Sequence, residues 1–304
     1  MADEGGLEFR MLGPLQVARS GRLVRLGGRQ QRAVLAMLLA EANTVVPLGR
    51  LVAGLWGERP SGGAVQTVQT YVFHLRQALE PQRPRGVEST VLITADRGYL
   101  LRAGRSAVDA AVFEARLAGG REALDAGRYA AAAAELSGAL RLWRGEVFAD
   151  VAEYEFARVE AARLGELRLA AQEARIDADL ALGRHAMVTA ELERLVTDHP
   201  LRERLHSQLV LALYRCGRQA AALAAYRRAR DLLADDLGID PGEPLQRLHA
   251  SVLAHDPALE WVGAPAAFSP PCVARTSLRS SARPCATARP ATTSTTASIT
   301  PTPA

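Results

Sequence analysis

A glycine-led tetrad that recurs along the second half of the chain constrains its fold more than any other feature. The pattern Gly-Arg-x-Ala begins at Gly127, Gly183 and Gly217, and the last two glycines are 34 residues apart. A 34-residue period with a glycine between two helices is typical of tetratricopeptide-type helix pairs. The surrounding sequence is rich in Ala, Leu and Arg at helical spacing, so residues 105–260 are predicted to form an all-α array of about seven helices.

Two details of the repeat give further expectations. An alanine follows each glycine by seven residues, at Ala134, Ala190 and Ala224, and small residues are expected where helices touch. The first two glycines are 56 residues apart, so a longer helix is expected around residues 155–182. Stacked helix pairs have no chemistry of their own, but they leave a surface for a partner protein or a second copy of the chain.

The first hundred residues differ, because short strand-like runs alternate with helical patterns. Residues 7–12 and 23–26 alternate apolar and polar side chains around Ser20 and Gly21, which predicts a small antiparallel sheet. Three helical segments follow, and the third is predicted to run for about sixteen residues from Ala64.

The third helical segment combines one apolar stripe with an unusual outer face. The predicted buried stripe is Val65, Val68, Val72, Leu75 and Leu79. At about 100° per residue the opposite side carries Gln66, Thr67, Thr70, Phe73, His74 and Gln77, with Arg76 on the flank. This face is nearly uncharged, and its amide, hydroxyl and imidazole groups can pair with base edges. The pattern favours a DNA-reading helix over a merely polar surface helix, which remains the alternative.

Residues 90–101 add a hairpin after this helix. Two strand-like runs are joined by Asp96, Arg97 and Gly98, which predicts a turn that holds a glycine and projects an arginine. Helix, helix, polar helix and arginine-tipped hairpin is the element order of a winged helix. In that geometry the third helix enters the major groove and the arginine reaches phosphate or the narrow minor groove.

Charge and composition change at two borders. Residues 1–104 hold 13 Arg against 8 acids, residues 105–260 hold 20 against 25, and residues 261–304 hold 4 Arg and no acid. The basic first segment favours attraction to duplex DNA. The last segment is rich in Pro, Ser and Thr and cannot bury a core, so we expect a disordered tail, with a DNA-binding tail as the alternative.

The sequence argues against most enzyme classes. All 37 basic residues are arginine, which excludes a P-loop, a protein kinase and a Schiff-base enzyme, since each needs a lysine. The three cysteines and six histidines form no metal-ligand motif. We therefore expect no catalytic residues, no metal and no cofactor, although a hydrolase with a dispersed triad stays open.

Targeting signals are also missing. No run approaches eighteen apolar residues, and the acidic start lacks the layout of a secretion signal. A cytoplasmic protein without membrane contact is expected.

Two stretches carry a family resemblance. Residues 67–76 and 94–99 resemble the OmpR-type winged helix, and residues 109–259 resemble the bacterial transcriptional activator domain through Leu142-Trp143-Arg144-Gly145 and residues 236–245. In this order they are similar to the Streptomyces antibiotic regulatory protein family. The resemblance implies an activator of a secondary-metabolite gene cluster, associated with the nucleoid. It implies binding to direct repeats near a promoter, self-association on the DNA and recruitment of RNA polymerase holoenzyme.

The resemblance also assigns roles by position. It implies that bases are read by Gln66, Thr67, Thr70 and His74. It implies that Arg76 meets phosphate, that Arg97 enters the minor groove, and that the loop at Gly57, Glu58 and Arg59 faces the polymerase.

The chain departs from the family in several respects. Arginines such as Arg29 and Arg32 are expected to replace lysines at the DNA backbone, and the tail has no counterpart. Larger members add an ATPase module, but neither ATP switching nor control by an attached phosphoacceptor domain is expected here. The competing hypothesis is a helical-repeat scaffold for protein binding, with a structural N-terminal module.

Overall fold

The computed structural model of the chain describes residues 6–57, 59–60 and 62–261. Two small antiparallel sheets and three helices come first, and an all-helical region follows. This confirms the mixed, mainly α fold with an N-terminal winged helix. Apart from Trp261, the predicted tail lies outside the described residues.

The first sheet has the strand order β1-β2-β3, formed by β1 (Leu7–Arg10), β2 (Gln16–Arg19) and β3 (Arg22–Leu23). Ser20 and Gly21 form the predicted turn between β2 and β3, and both have positive φ angles, 48° and 77°. Such a turn matches the twist of the strands that it joins.

The second sheet has the order β4-β6-β5 and is built from β4 (Val45–Pro47), β5 (Leu92–Ala95) and β6 (Gly98–Leu101). Ala95 pairs with Gly98, so the hairpin turn is Asp96-Arg97 alone. The prediction that the turn holds the glycine is therefore wrong. Gly98 belongs to β6, where a Cβ would lie 2.0 Å from the Val46 carbonyl oxygen.

Three helices complete the winged helix, namely α1 (Arg29–Ala40), α2 (Leu48–Trp56) and α3 (Ala64–Leu79). The helix α3 has the predicted sixteen residues and packs on α1, α2 and β5.

Seven α-helices follow within the described residues, which is the predicted number. They are α4 (Asp109–Asp125), α5 (Tyr129–Leu140), α6 (Glu155–Ala181), α7 (His185–Asp198), α8 (Glu203–Arg215), α9 (Gln219–Leu237) and α10 (Glu243–Leu253). The expected longer helix is α6, with 27 residues.

The three repeat glycines lie in the turns between α4 and α5, α6 and α7, and α8 and α9. Gly127, Gly183 and Gly217 have φ angles of 70°, 78° and 74°, a region that L side chains rarely adopt. In each turn the N–H of the next arginine donates to a carbonyl five residues earlier, as in a helix that ends on a left-handed residue. The glycines are therefore required by the geometry of the turn.

The alanines predicted to lie between helices do not do so. Ala134 and Ala190 are exposed and Ala224 is half-buried, whereas Ala132, Val188 and Ala222 are buried. The buried position comes five residues after the glycine. The position seven residues after it is turned by about 200° around the helix axis, toward solvent.

The apolar interior consists of two clusters that meet along α6. The N-terminal core runs from Phe9 to Ala178 and includes all three winged-helix helices together with α4, α5 and one side of α6. The C-terminal core runs from Leu169 to Val252 and is formed by the other side of α6 with α7 to α10. The N-terminal core continues across residue 104. The domain boundary expected at that residue stays a prediction.

Two aspartates also hold the β1–β2 connection against the helical region. Asp109 accepts hydrogen bonds from the backbone N–H groups of Met11 and Leu12, at 2.8 and 3.1 Å. Asp150 accepts one from Leu15 N–H at 2.6 Å and pairs with the Arg32 guanidinium. Burial raises the pKa of Asp109 even with these donors in place. The winged helix is thus joined to α4 and to the segment before α6 by polar contacts as well as by a shared core.

Candidate nucleic-acid interface

The inner side of α3 fixes the helix in the N-terminal core. The buried residues are Ala64, Val68, Val72, Leu75 and Leu79. Val65, predicted in this stripe, is 48% exposed, so that part of the prediction is wrong. Ala64, one residue earlier, is buried in its place.

The outer side of α3 is exposed and carries no acidic residue. Its exposed residues opposite the buried stripe are Gln66, Gln69, Thr70, Phe73, His74 and Gln77. Gln66, Thr70, Phe73 and Gln77 lie within about 40° of the direction opposite the stripe. We call these four residues the α3 outer face. It offers amide and hydroxyl groups without fixed charge to whatever lies against it.

The two threonines predicted to read bases already use their hydroxyl protons. Thr67 Oγ1 donates to Gly63 O at 3.0 Å, and Thr70 Oγ1 donates to Gln66 O at 2.9 Å. Each hydroxyl therefore keeps its acceptor lone pairs and each side chain its methyl group for an outside partner. Thr70 is exposed, whereas Thr67 is half-buried at the edge of the face.

The side chain of Arg76 joins α3 to the hairpin. Its Nε donates to Leu92 O at 2.8 Å, and its Nη2 donates to Thr94 Oγ1 at 2.7 Å. The guanidinium carbon lies 5.8 Å from the centre of the Tyr99 ring. Burial lowers the pKa of Arg76 from its usual value. The predicted phosphate contact is untested, and the contacts observed are those of a positioning residue.

The hairpin tip is also fixed through its backbone. The Arg97 carbonyl oxygen accepts from Leu48 N–H at 2.9 Å, which ties the turn to the start of α2. The Arg97 side chain is exposed. The structure therefore holds the wing beside α3 through Arg76 and leaves an exposed arginine at its tip.

The remaining predicted residues have different surroundings. Gly57 ends α2 with a φ of 64°, and Arg59 is exposed, while Glu58 lies outside the described residues. Arg29 is largely exposed and lies 3.3 Å from Glu153. Arg32 pairs with Asp150 and donates to Leu15 O, so its guanidinium is engaged within the protein and does not fit the expected role at the DNA backbone.

Sequence reasoning missed a basic groove beside α3. A cavity of about 920 Å³ lies between the C-terminal half of α3, the following segment and β5. Phe73, Arg76, Arg83 and Arg85 are among the residues that line it. Glu80, at the end of α3, accepts hydrogen bonds from Ser89 and Thr90 and holds the far wall. The signal that could have found it is the arginine pair between α3 and the hairpin.

Neither a metal-binding cluster nor a membrane-spanning helix is found among the described residues. No cluster of three potential metal ligands occurs among those residues. No helix there has both the length and the apolar character needed to cross a bilayer.

Two family descriptions match consecutive parts of the chain. Residues 21–101 match "Transcriptional regulatory protein, C terminal", and residues 108–253 match "Bacterial transcriptional activator domain". The first range contains α1 to α3 and the β4-β6-β5 sheet, and the second contains α4 to α10.

Curated relatives and a solved structure agree with these matches. The chain is 42% identical over 263 residues to the regulatory protein AfsR of Streptomyces coelicolor, which covers 86% of this chain and 26% of AfsR. It is 37% identical to the regulatory protein DnrI of Streptomyces peucetius, over 86% of this chain and 98% of DnrI. A structure of Mycobacterium tuberculosis EmbR in complex with a low-affinity phosphopeptide is 42% identical, with a TM-score of 0.78, and the likeness covers 83% of this chain and 66% of that one. The chain thus spans about a quarter of AfsR and nearly all of DnrI.

Proposed function

This chain belongs to the Streptomyces antibiotic regulatory protein family of transcriptional regulators, and on that premise we propose that it is a sequence-specific DNA-binding activator. The observation that carries the proposal is the uncharged α3 outer face, exposed beside an arginine-tipped wing. Base edges in the major groove offer donors and acceptors that such a face can match, whereas water alone requires no such composition.

In the proposed complex, α3 lies in the major groove. Gln66 is the strongest candidate for a base contact, because an amide can donate and accept in one plane toward adenine. Thr70 and His74 read neighbouring bases, and Thr67 contributes at the edge. The threonine hydroxyls act as acceptors, since their protons are donated within the helix.

The wing supplies the second contact. Arg97 enters the minor groove, where a narrow A·T-rich stretch has an enhanced negative potential. Arg76 sets the distance between wing and helix, because its guanidinium bonds β5 from the side of α3. Any phosphate contact by Arg76 is made from this fixed position.

Activation requires a second surface. We assign the loop at Gly57, Glu58 and Arg59 to RNA polymerase holoenzyme, because its position matches the polymerase-facing loop that the family resemblance implies. Two or more copies bind direct repeats near the promoter and associate on the DNA. The regulated genes form a secondary-metabolite cluster, and the protein works in the cytoplasm on the nucleoid.

The test is a gel-shift titration against salt, with a duplex that the full chain selects from a randomised pool and a shuffled duplex of equal composition. We expect tight, preferential binding of the selected duplex and a linear fall of log affinity with log salt. Equal affinity for both duplexes would contradict sequence-specific recognition. A helical-repeat scaffold with a structural N-terminal module predicts no salt-sensitive complex at all.

A further inference from the structure

Phe73 is a large apolar side chain at the middle of the α3 outer face. It is 53% exposed, although the helix has a complete buried stripe on its other side. Its ring lies 5.7 Å from the ring of His74, at a tilt of 59°. The phenyl group therefore lies among Thr70, His74 and Gln77. The proposed function places Thr70 and His74 against DNA bases, and Gln77 belongs to the same outer face.

A phenyl ring cannot read most of what the major groove offers. It has no donor or acceptor to match the polar edges of guanine, adenine or cytosine. The one apolar group on a base edge in that groove is the C5 methyl of thymine. A phenyl placed against a polar edge would also leave that edge without its hydrogen bond to water, which is unfavourable.

We propose that Phe73 recognises the C5 methyl group of one thymine in each binding site. This inference rests on the proposed function, since it requires α3 to lie in the major groove. It makes Phe73 a specificity-determining residue that favours thymine through apolar contact and disfavours cytosine, which presents an amino group and no methyl.

The surroundings of Phe73 support a contact with DNA rather than with the protein. The groove beside it is lined by three arginines, Arg76, Arg83 and Arg85, against two glutamates, Glu80 and Glu88. Its charge balance is therefore positive, as a phosphate backbone requires. The ring lies between this basic groove and the amide and hydroxyl side chains of α3. An apolar side chain there faces bases if the arginines face phosphates.

The experiment uses the full chain and the duplex that it selects from a randomised pool. Each thymine is replaced in turn by deoxyuridine, which lacks only the methyl group. We expect one position per site at which the wild type loses about three- to fivefold in affinity, the value for one buried methyl group. At that position Phe73→Ser should bind the thymine and deoxyuridine duplexes equally.

Two controls separate a methyl contact from a general effect. Phe73→Leu keeps an apolar side chain and should retain part of the deoxyuridine effect, while Tyr129→Ala removes an exposed aromatic from α5 and should retain all of it. At the same position, 5-methylcytosine should be bound better than cytosine by the wild type and not by Phe73→Ser.

The outcomes distinguish this inference from the proposed function. If the wild type prefers its selected duplex but no thymine methyl depends on Phe73, the inference is wrong and the proposed function stands. If the wild type has no preferred duplex, the proposed function is wrong and this inference falls with it.

Discussion

The exposed outer face of α3 and the buried charged side chains of α6 differ in how their polar groups are satisfied. On and around α6, charged side chains pair within the protein: Arg175 lies 2.7 Å from Asp179, and Arg202 lies 2.9 Å from Glu173. On the α3 outer face, Gln66 and Gln77 make no side-chain hydrogen bond to any described residue. The comparison indicates that the ion pairs of α6 serve stability, whereas the α3 outer face is left for an external partner.

The largest expected effect comes from removing one partner of the ion pair between Arg202 and Glu173. Arg202→Ala leaves the Glu173 carboxylate, whose side chain is 5% exposed, with Arg204 at 3.9 Å as its remaining ion-pair partner among the described residues. We expect a loss of about 3 kcal/mol in the free energy of unfolding, because an unpaired buried charge is unfavourable. Urea unfolding followed by circular dichroism measures it.

The matched control is Arg194→Ala, which breaks an exposed pair with Asp198 and should change the free energy of unfolding by less than about 0.5 kcal/mol. Both variants should bind the selected duplex as the wild type does while folded. If Arg194→Ala lost as much stability as Arg202→Ala, the distinction between buried and exposed ion pairs would be wrong.

The second effect tests the α3 outer face. Gln66→Ala should lose about 1–3 kcal/mol of preference for the selected duplex over the shuffled one. Its free energy of unfolding should stay within about 0.5 kcal/mol of the wild type, since the side chain is exposed. Gln82→Ala, exposed just after α3, is the control for amide removal. Unchanged preference in Gln66→Ala would contradict the role assigned to that amide.

The third effect concerns the wing. Arg97→Ala should reduce the slope of log affinity against log salt by about one unit. Arg121→Ala, which removes an exposed arginine from α4, should leave the slope unchanged. Equal slopes in the wild type and Arg97→Ala would place the wing away from the DNA.

The smallest effect concerns the wall of the basic groove. Burial tends to raise the pKa of Glu80, but the hydrogen bonds from Ser89 and Thr90 and the nearby Arg83 outweigh it and lower the pKa below its usual value of 4.5. Because the pKa is lower in the folded state, ionised Glu80 stabilises the folded protein at pH values above the usual pKa. This contribution is lost as the pH falls through the folded-state pKa. We expect Glu80→Gln to flatten the acid side of the stability curve by less than about 1 kcal/mol. Thermal unfolding of Glu80→Gln and the wild type between pH 3 and pH 6 would show the difference.

Local patterns in the sequence predict much of this fold. The repeat glycines mark their turns because a left-handed residue recurs there, and α3 follows from its apolar period. The uncharged outer face of α3 also follows, since side-chain type and helical spacing suffice to define it.

Contacts between distant residues could not be predicted in this way. Asp109 and Asp150 bond backbone groups 98 and 135 residues away, and nothing near them in the sequence indicates it. Arg32 and Arg76 looked like free arginines, but each is engaged by a partner from another element. The exposure of Val65 was missed because a helical period does not fix which residue starts the buried stripe.

The central claim is that the α3 outer face lies against base edges. Dimethyl sulfate methylates guanine at N7 in the major groove, so its reaction with the selected duplex reports directly on that groove. We predict protection of clustered guanine N7 atoms by the wild type, and its loss in the Gln66→Ala, Thr70→Ala double variant at concentrations that still saturate the duplex. Full N7 reactivity throughout a saturated wild-type complex would contradict the claim.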